Sequence, residues 1–476
     1  MEYLFYIMAP SQCRINASVF GNSASFGGGV INHGAFIMRD NSSVHDNSVH
    51  GMHRHGGGVI SYGTFFIMQD RASVYGNEAI DYGGWAGGVL IRSGDFIMRD
   101  NSRVHNNTSG NNGGGVVIGF DGQSGNFTMW DNASVDNNAT ANAGGGVVIG
   151  GWEGSGTFTM HGGSISHNES AHNGGGVLVN EGSTFTMHSG TISENTGTWG
   201  GGGVYVGWDG IFTMQGGTIS GNEAGSGGGV SIYNGSFTMS GGIISGNKSG
   251  VGGGVLSNGS FTISGNAAIS NNEAGSGGGI FSGGTIIMSG GIISDNEASQ
   301  GGGVISHEIF TMSGGTISGN KAEVGGGVQS YGTFIMSGGT ISGNISLQDG
   351  GGVSSYGDFT MSGNAAISRN EAGNGGGVSS GGTFTMQGGR IFGNESSQGG
   401  GVFVSPSGTF RITNGTVYGE NADENSNIAD DGVALFVGIT GSAFYGTAPN
   451  WNPLLAQGVD SIDETIRVVN GVLLSP

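Results

Sequence analysis

One sentence of sequence, best written as GGGVSIYNGSFTMSGGIISGNKSGV from Gly227 to Val251, recurs through most of the chain. A repeat this short confines the fold to architectures that stack one small unit on the next, because a single copy has too few apolar residues to bury a core alone. The valine or isoleucine that closes each Gly-rich tract falls at Val30, Val59, Val89, Val116, Val147, Val177, Val204, Val230, Val255, Ile280, Val304, Val328, Val353, Val378 and Val402, with a degenerate sixteenth at Val433. The intervals are 24 to 31 residues, and only 24 to 26 between Val204 and Val402. That constancy is the length of a structural rung.

Within each rung the apolar residues alternate. Phe237-Thr238-Met239 and Ile243-Ile244-Ser245 put apolar side chains on one face and hydroxyls on the other, which is the period of a strand. Gly-Gly, Gly-Asn and Asp-Asn punctuate them, residues that accept tight-turn backbone. Three short strands per coil predict a parallel β-helix in which each strand pairs with its equivalent one coil on. Its core is a stack of like on like, with Phe158, Phe185, Phe212 and Phe237 in one column, Met160, Met187, Met214 and Met239 in the next, and Ile165, Ile192, Ile219 and Ile244 in a third. A fourth column, Asn195, Asn222, Asn247, Asn272, Asn296, Asn320, Asn344, Asn370 and Asn394, is polar; stacked amides can donate and accept along it as a ladder. The expected fold is all-β, a right-handed, three-sided parallel β-helix of about 16 rungs over residues 1–432. A terminal coil and C-terminal cap follow over 433–476, since a bare solenoid end exposes strand edges.

The run Gly-Asn-x-Ala followed by Gly-Gly-Gly-Val, as in GNEAGSGGGV at 221–230, resembles the FxxN and GGA[ILV] repeats of the polymorphic outer-membrane proteins of bacterial surfaces. The likeness covers roughly residues 15 to 435. It implies an extracellular or cell-surface scaffold, adhesin-like, with host or environmental glycans or proteins as partners. Ile or Val often replaces the Phe of that motif, and no C-terminal β-barrel follows, so the resemblance does not extend to autotransport.

Composition removes other classes. Thirteen basic residues against 34 acidic ones give a net charge of −21, which speaks against nucleic acid or anionic membrane as a partner. No apolar run is long enough for a transmembrane helix. The first residues read as the middle of a rung, with Val19 to Asn22 standing where Ile-Ser-Gly-Asn stands later, so a leader and cap are expected upstream of Met1. Lone Cys13 forms no intramolecular disulfide.

Function in a solenoid sits where the repeat is broken. The distance from the tract's Val to the following Phe is six residues in most rungs, but eleven from Val116 to Phe127 and from Val147 to Phe158, and eight from Val177 to Phe185 and from Val204 to Phe212. These bulges carry Phe120 and Asp121, Trp152 and Glu153, Glu181, and Trp208 and Asp209. Aromatic faces with carboxylates beside them suit a saccharide, stacking on its ring and bonding its hydroxyls; equally, such aromatics can cover one another and seal the corner. A second column, Asp40, Asp70, Asp100 and Asp131, with Arg39, Arg71 and Arg99 beside it, can hold Ca²⁺ or act as the acid and nucleophile of a carbohydrate-active enzyme, a polysaccharide lyase or glycoside hydrolase. Its simpler meaning is a turn dipeptide, Asp-Asn. His50, His53 and His55 crowd one insertion and His161 and His188 fall on adjacent rungs, a weak pattern for a metal. Outward threonines such as Thr157, Thr159, Thr184 and Thr186 resemble the rows of ice-binding solenoids, but Ile37, Ile67, Ile97, Ile287 and Ile335 interrupt them. The expected function is non-catalytic binding on a lateral face, with the enzyme as alternative. No cofactor is demanded, Ca²⁺ at the Asp column apart.

Overall fold

The structure, a computed structural model, describes residues 17–25, 27–50, 55–80, 83–420, 422–455 and 460–474, and the strand backbones Phe5–Ile7 and Ser11–Cys13. The chain divides into two compact units, residues 1–249 and 250–476. Both are built as a three-sided parallel β-solenoid, about 15 turns in all.

A coil of the first unit shows how the sequence makes a turn. The Gly-rich tract leads into Val204–Val206 on the first sheet, and Ile211–Met214 and Thr218–Ser220 follow on the second. Glu223–Ser226 then forms the third sheet. The coil thus has four strands rather than the three expected. The extra strand escapes a pattern search because it is very short and sends a single small side chain inward, such as Ala224, Ala274, Ala298, Ala322, Ser346 and Ala372. Register is without slippage where the columns predict it: Phe158 pairs with Phe185, Phe185 with Phe212, and Phe212 with Phe237. Their rings stack at centroid distances of 4.7, 4.8 and 4.6 Å, close to the spacing of neighbouring strands. The backbone repeat therefore fixes the ring stack.

The asparagine ladder runs through each unit. In the second, the Asn296 backbone N–H and side-chain amide both donate to Asn320 Oδ1, at 3.0 and 2.9 Å, and Asn320 does the same to Asn344. The amide also reaches a carbonyl of the preceding rung, as from Asn320 to Ile293 O at 3.0 Å. The ladder extends beyond the column read from sequence, from Asn22 to Asn47 at one end and from Asn394 to Asn427 at the other. The residue before each ladder asparagine from Asn22 to Asn394 is left-handed, with φ near 55° at Asn271, Asp295 and Arg369 and 64° at Gly343; only before Asn427 does the turn differ, Ser426 having φ of −58°. The left-handed turn throws the asparagine inward.

The last rung corrects the sixteenth repeat: the residue paired with Val402 is Leu435, not Val433. Val433 and Ala434 stand where Gly400 and Gly401 stand one rung earlier, so the Gly-Val pair that closes the tract in other rungs falls two residues early here. Pairing then turns antiparallel, Leu435–Val437 with Ser461–Ile462 and Thr409–Val417 with Ile466–Val469, so these segments take up edges that another rung would use. Among the described residues no helix is long and apolar enough to cross a membrane.

Candidate ligand-binding groove

The groove lies on the first unit and begins with residues that face away from the core. The middle residue of each first-sheet strand points outward, and in consecutive rungs it is Ile60, Leu90, Val117, Val148 and Leu178, all buried, then half-buried Tyr205. Farther along the chain the same place is mixed, Ser231, then a shorter apolar run of Leu256, Phe281 and Ile305, then Gln329, Ser354 and Ser379. An outward apolar row needs a cover. Here the loops on both sides of the strands supply it, and Trp85, Ala86 and Phe120 pack on the row as a second small core outside the solenoid wall.

Two clefts open between those loops. One, of about 830 Å³, is lined by His55, Tyr62, Trp85, Arg92, Phe120, Asp121, Trp152 and His172 together with Asn111 and Asn142. The other, of about 750 Å³, is lined by Trp85, Trp152, Glu153, Asn180, Glu181, Tyr205, Trp208 and Tyr233. Trp85 and Trp152 belong to both, so the clefts adjoin as one groove across several rungs.

The corner expected from the long Val-to-Phe loops supplies one wall. Trp152 and Trp208 are 54% and 55% exposed, large apolar faces held open to solvent. The Trp208 ring stands edge-on to Tyr233 at 5.6 Å. Glu153 is exposed beside Trp152 with φ of 51°, and Glu181 is exposed one rung on. Phe120 sits differently: it is buried, edge-on to His55 at 4.8 Å and to Trp85 at 5.4 Å, so it is floor rather than platform. Asp121 forms an ion pair with Arg92, whose guanidinium lies 5.3 Å over the Tyr62 ring. Asp209, exposed at the equivalent turn, is not among the residues lining either cleft. Gly154 ties the loops together, since a Cβ there would stand 2.6 Å from the backbone of Gly119 and Phe120.

The opposite wall, with Trp85, Asn111, Asn142 and His172, was not singled out by sequence reasoning. Its clearest signal is the distance from the ladder asparagine to the tract's Val, twelve residues from Asn47 to Val59 and from Asn77 to Val89 against eight from Asn222 to Val230; the nine from Asn107 to Val116 recur from Asn344 to Val353 and mark nothing by themselves. His55 contributes to this wall, whereas His50 does not line it and His53 lies outside the described residues.

The aspartate column is a backbone device. Asp40, Asp70, Asp100 and Asp131 are all left-handed, φ 55 to 58°. The N–H of Asp40 donates to Asp70 Oδ2 at 3.1 Å, that of Asp70 to Asp100 at 3.0 Å and that of Asp100 to Asp131 at 3.1 Å. Each acceptor carboxylate thus spends an oxygen on the rung before it. Arg99 donates to Gln69 instead of to an aspartate. Among the described residues no three His, Cys, Asp or Glu gather as a metal ion would require. His161 stacks between Trp130, at 3.8 Å, and His188, at 4.7 Å, outside the groove.

One outer column carries a pH dependence. His45, Tyr75 and His105 stack at 4.7 and 5.0 Å, and Asp136 follows in the next rung, paired with Arg103 at 2.6 Å. Burial pushes the Asp136 carboxyl up, but the hydrogen bonds from Arg103, Ser134 and Asn137 outweigh it and hold the group below the usual carboxylate value. Burial, then Arg103, lower His105 against the pull of Asp136. Both groups have depressed values when folded, so both contribute stability at neutral pH that is lost on acidification. Thermal melts should therefore lose stability first below about pH 6.5 and again below about pH 4. Asp136→Asn should flatten the second step while lowering the melting temperature at neutral pH; an unchanged acid limb in that variant would contradict the assignment.

No family model, curated protein or solved structure matches the chain.

Proposed function

We propose that the protein is a non-catalytic, extracellular or cell-surface scaffold, adhesin-like, that binds glycans in this groove. The observation that carries the reading is the pair of half-exposed tryptophans, Trp152 and Trp208, two rungs apart on one wall. Two rungs are roughly 10 Å, a separation at which an extended saccharide can lay alternate rings on the indoles. Aromatic faces stack on the C–H faces of sugars, and the flanking Asn and Glu side chains bond hydroxyls. Binding is favoured over turnover because the Asp70, Asp100 and Asp131 carboxylates are engaged by backbone amides. The likeness of the repeat to outer-membrane surface proteins supports the location.

A glycan array probed with the full chain tests this. Trp152→Ala and Trp208→Ala should each weaken binding by about tenfold or more, the loss of a central aromatic contact, while Trp130→Ala, outside the groove, leaves it intact. Equal binding by all three variants would exclude the groove.

A further inference from the structure

The second cleft has a chemical bias that the glycan reading leaves open. Its lining residues present five aromatic rings, Trp85, Trp152, Tyr205, Trp208 and Tyr233, and two carboxylates, Glu153 and Glu181, without one Lys, Arg or His among them. The adjoining cleft is lined by one Arg, Arg92, already taken by Asp121 and by the face of Tyr62, and by His55 and His172. Burial, then the neighbouring Tyr233, raise the Tyr205 phenol above its ordinary value, so this hydroxyl stays neutral. An anion entering here would meet two like charges and no partner. An organic ammonium would meet indole and phenol faces, which attract cations through the ring quadrupole, and two carboxylates that strengthen the pull.

We infer that the cleft selects a saccharide bearing a protonated amine, a hexosamine with its nitrogen unsubstituted, over neutral N-acetylated and acidic sugars. The sugar ring lies on Trp152 or Trp208 and its ammonium is directed to Glu153 and Glu181. The inference rests on the glycan reading and adds charge selection to it. It also fits a chain whose net charge of −21 attracts cationic polymers at long range.

Calorimetry on the full chain at low salt near pH 6, with a glucosamine tetramer, its fully N-acetylated counterpart and choline chloride as probes, separates the outcomes. The free-amine tetramer should bind about tenfold tighter than the acetylated one. Glu153→Gln and Glu181→Gln should each cost roughly fivefold for the free amine and leave the acetylated tetramer unchanged; added salt should narrow the gap. Equal affinity for the two tetramers, insensitive to both Glu→Gln changes, overturns charge selection and leaves the glycan reading standing. Choline binding that depends on the glutamates, with neither tetramer bound, overturns the glycan reading and the hexosamine assignment with it, and leaves a site for a small organic cation. Binding of no probe by a protein whose far-ultraviolet spectrum is unchanged overturns charge selection.

Discussion

Gly303→Ala is expected to unfold part of the second unit. The third glycine of the tract passes so close to the next rung that a Cβ would stand 2.5 Å from the Gly327 carbonyl oxygen, 3.0 Å from Ile317 and 3.1 Å from the Asn320 amide. Two of these neighbours cannot move. The carbonyl accepts from Val304 N at 2.9 Å, and the amide belongs to the ladder. Relief requires the rungs to part, at a cost of about 3 kcal/mol or more, the upper range of overpacking. Urea denaturation followed by circular dichroism should show it. Gly343→Asn provides the contrast: a Cβ at Gly343 meets nothing within 4 Å, and asparagine tolerates its φ of 64°. That variant should lose under about 1 kcal/mol. If both variants melt alike, close approach of rungs is not what the Gly-rich tract provides.

Asn320→Ala should be comparably damaging for a different reason. Removing the side chain takes the acceptor from the Asn296 backbone N–H and side-chain amide and a donor from the Ile293 carbonyl, all buried, while Asn344 Oδ1 keeps only the bond from the backbone N–H of residue 320. Each buried polar group left unpaired costs about 1–3 kcal/mol, so a loss of about 3–5 kcal/mol is expected after partial relaxation. Hydrogen exchange should also rise at Asn296 and its neighbours, where the ladder is cut. Asn320→Asp keeps one acceptor oxygen but loses the amide donor and adds a buried charge, and it should rescue little. Near-native stability in Asn320→Ala would mean that the column is a passenger of the coil.

The parts of this fold that could be read from sequence are those repeated in every rung. The Phe, Met and Ile columns are wholly inward and apolar, so alternation reveals them, and the ladder asparagine keeps its place because only an amide serves both neighbours. What the pattern hides is short or outward. The third-sheet strand shows one alanine to a search for periodicity, and Leu435 escapes because Val433 and Ala434 replace two glycines of the tract before it. The outer apolar row, Ile60, Leu90, Val117, Val148 and Leu178, looks like ordinary strand composition until loops from both sides are seen to fold over it. One wall of the groove was legible from the lengthened Val-to-Phe loops. The other, with Trp85 and His172, was equally encoded in the lengthened asparagine-to-Val segments, but loop length alone does not say that two corners converge on the same strands.

The groove is the claim on which the functional account stands. Indole N–H resonances test it most directly, because the six tryptophans report separate places on the molecule. They can be assigned by single Trp→Phe changes and followed while a glucosamine oligosaccharide is titrated in. The account predicts that the resonances of Trp152 and Trp208 move together and saturate, with Trp130, outside the groove, and Trp451, in the second unit beside Arg411, unmoved; saturable shifts at those two with Trp152 and Trp208 unmoved would contradict it.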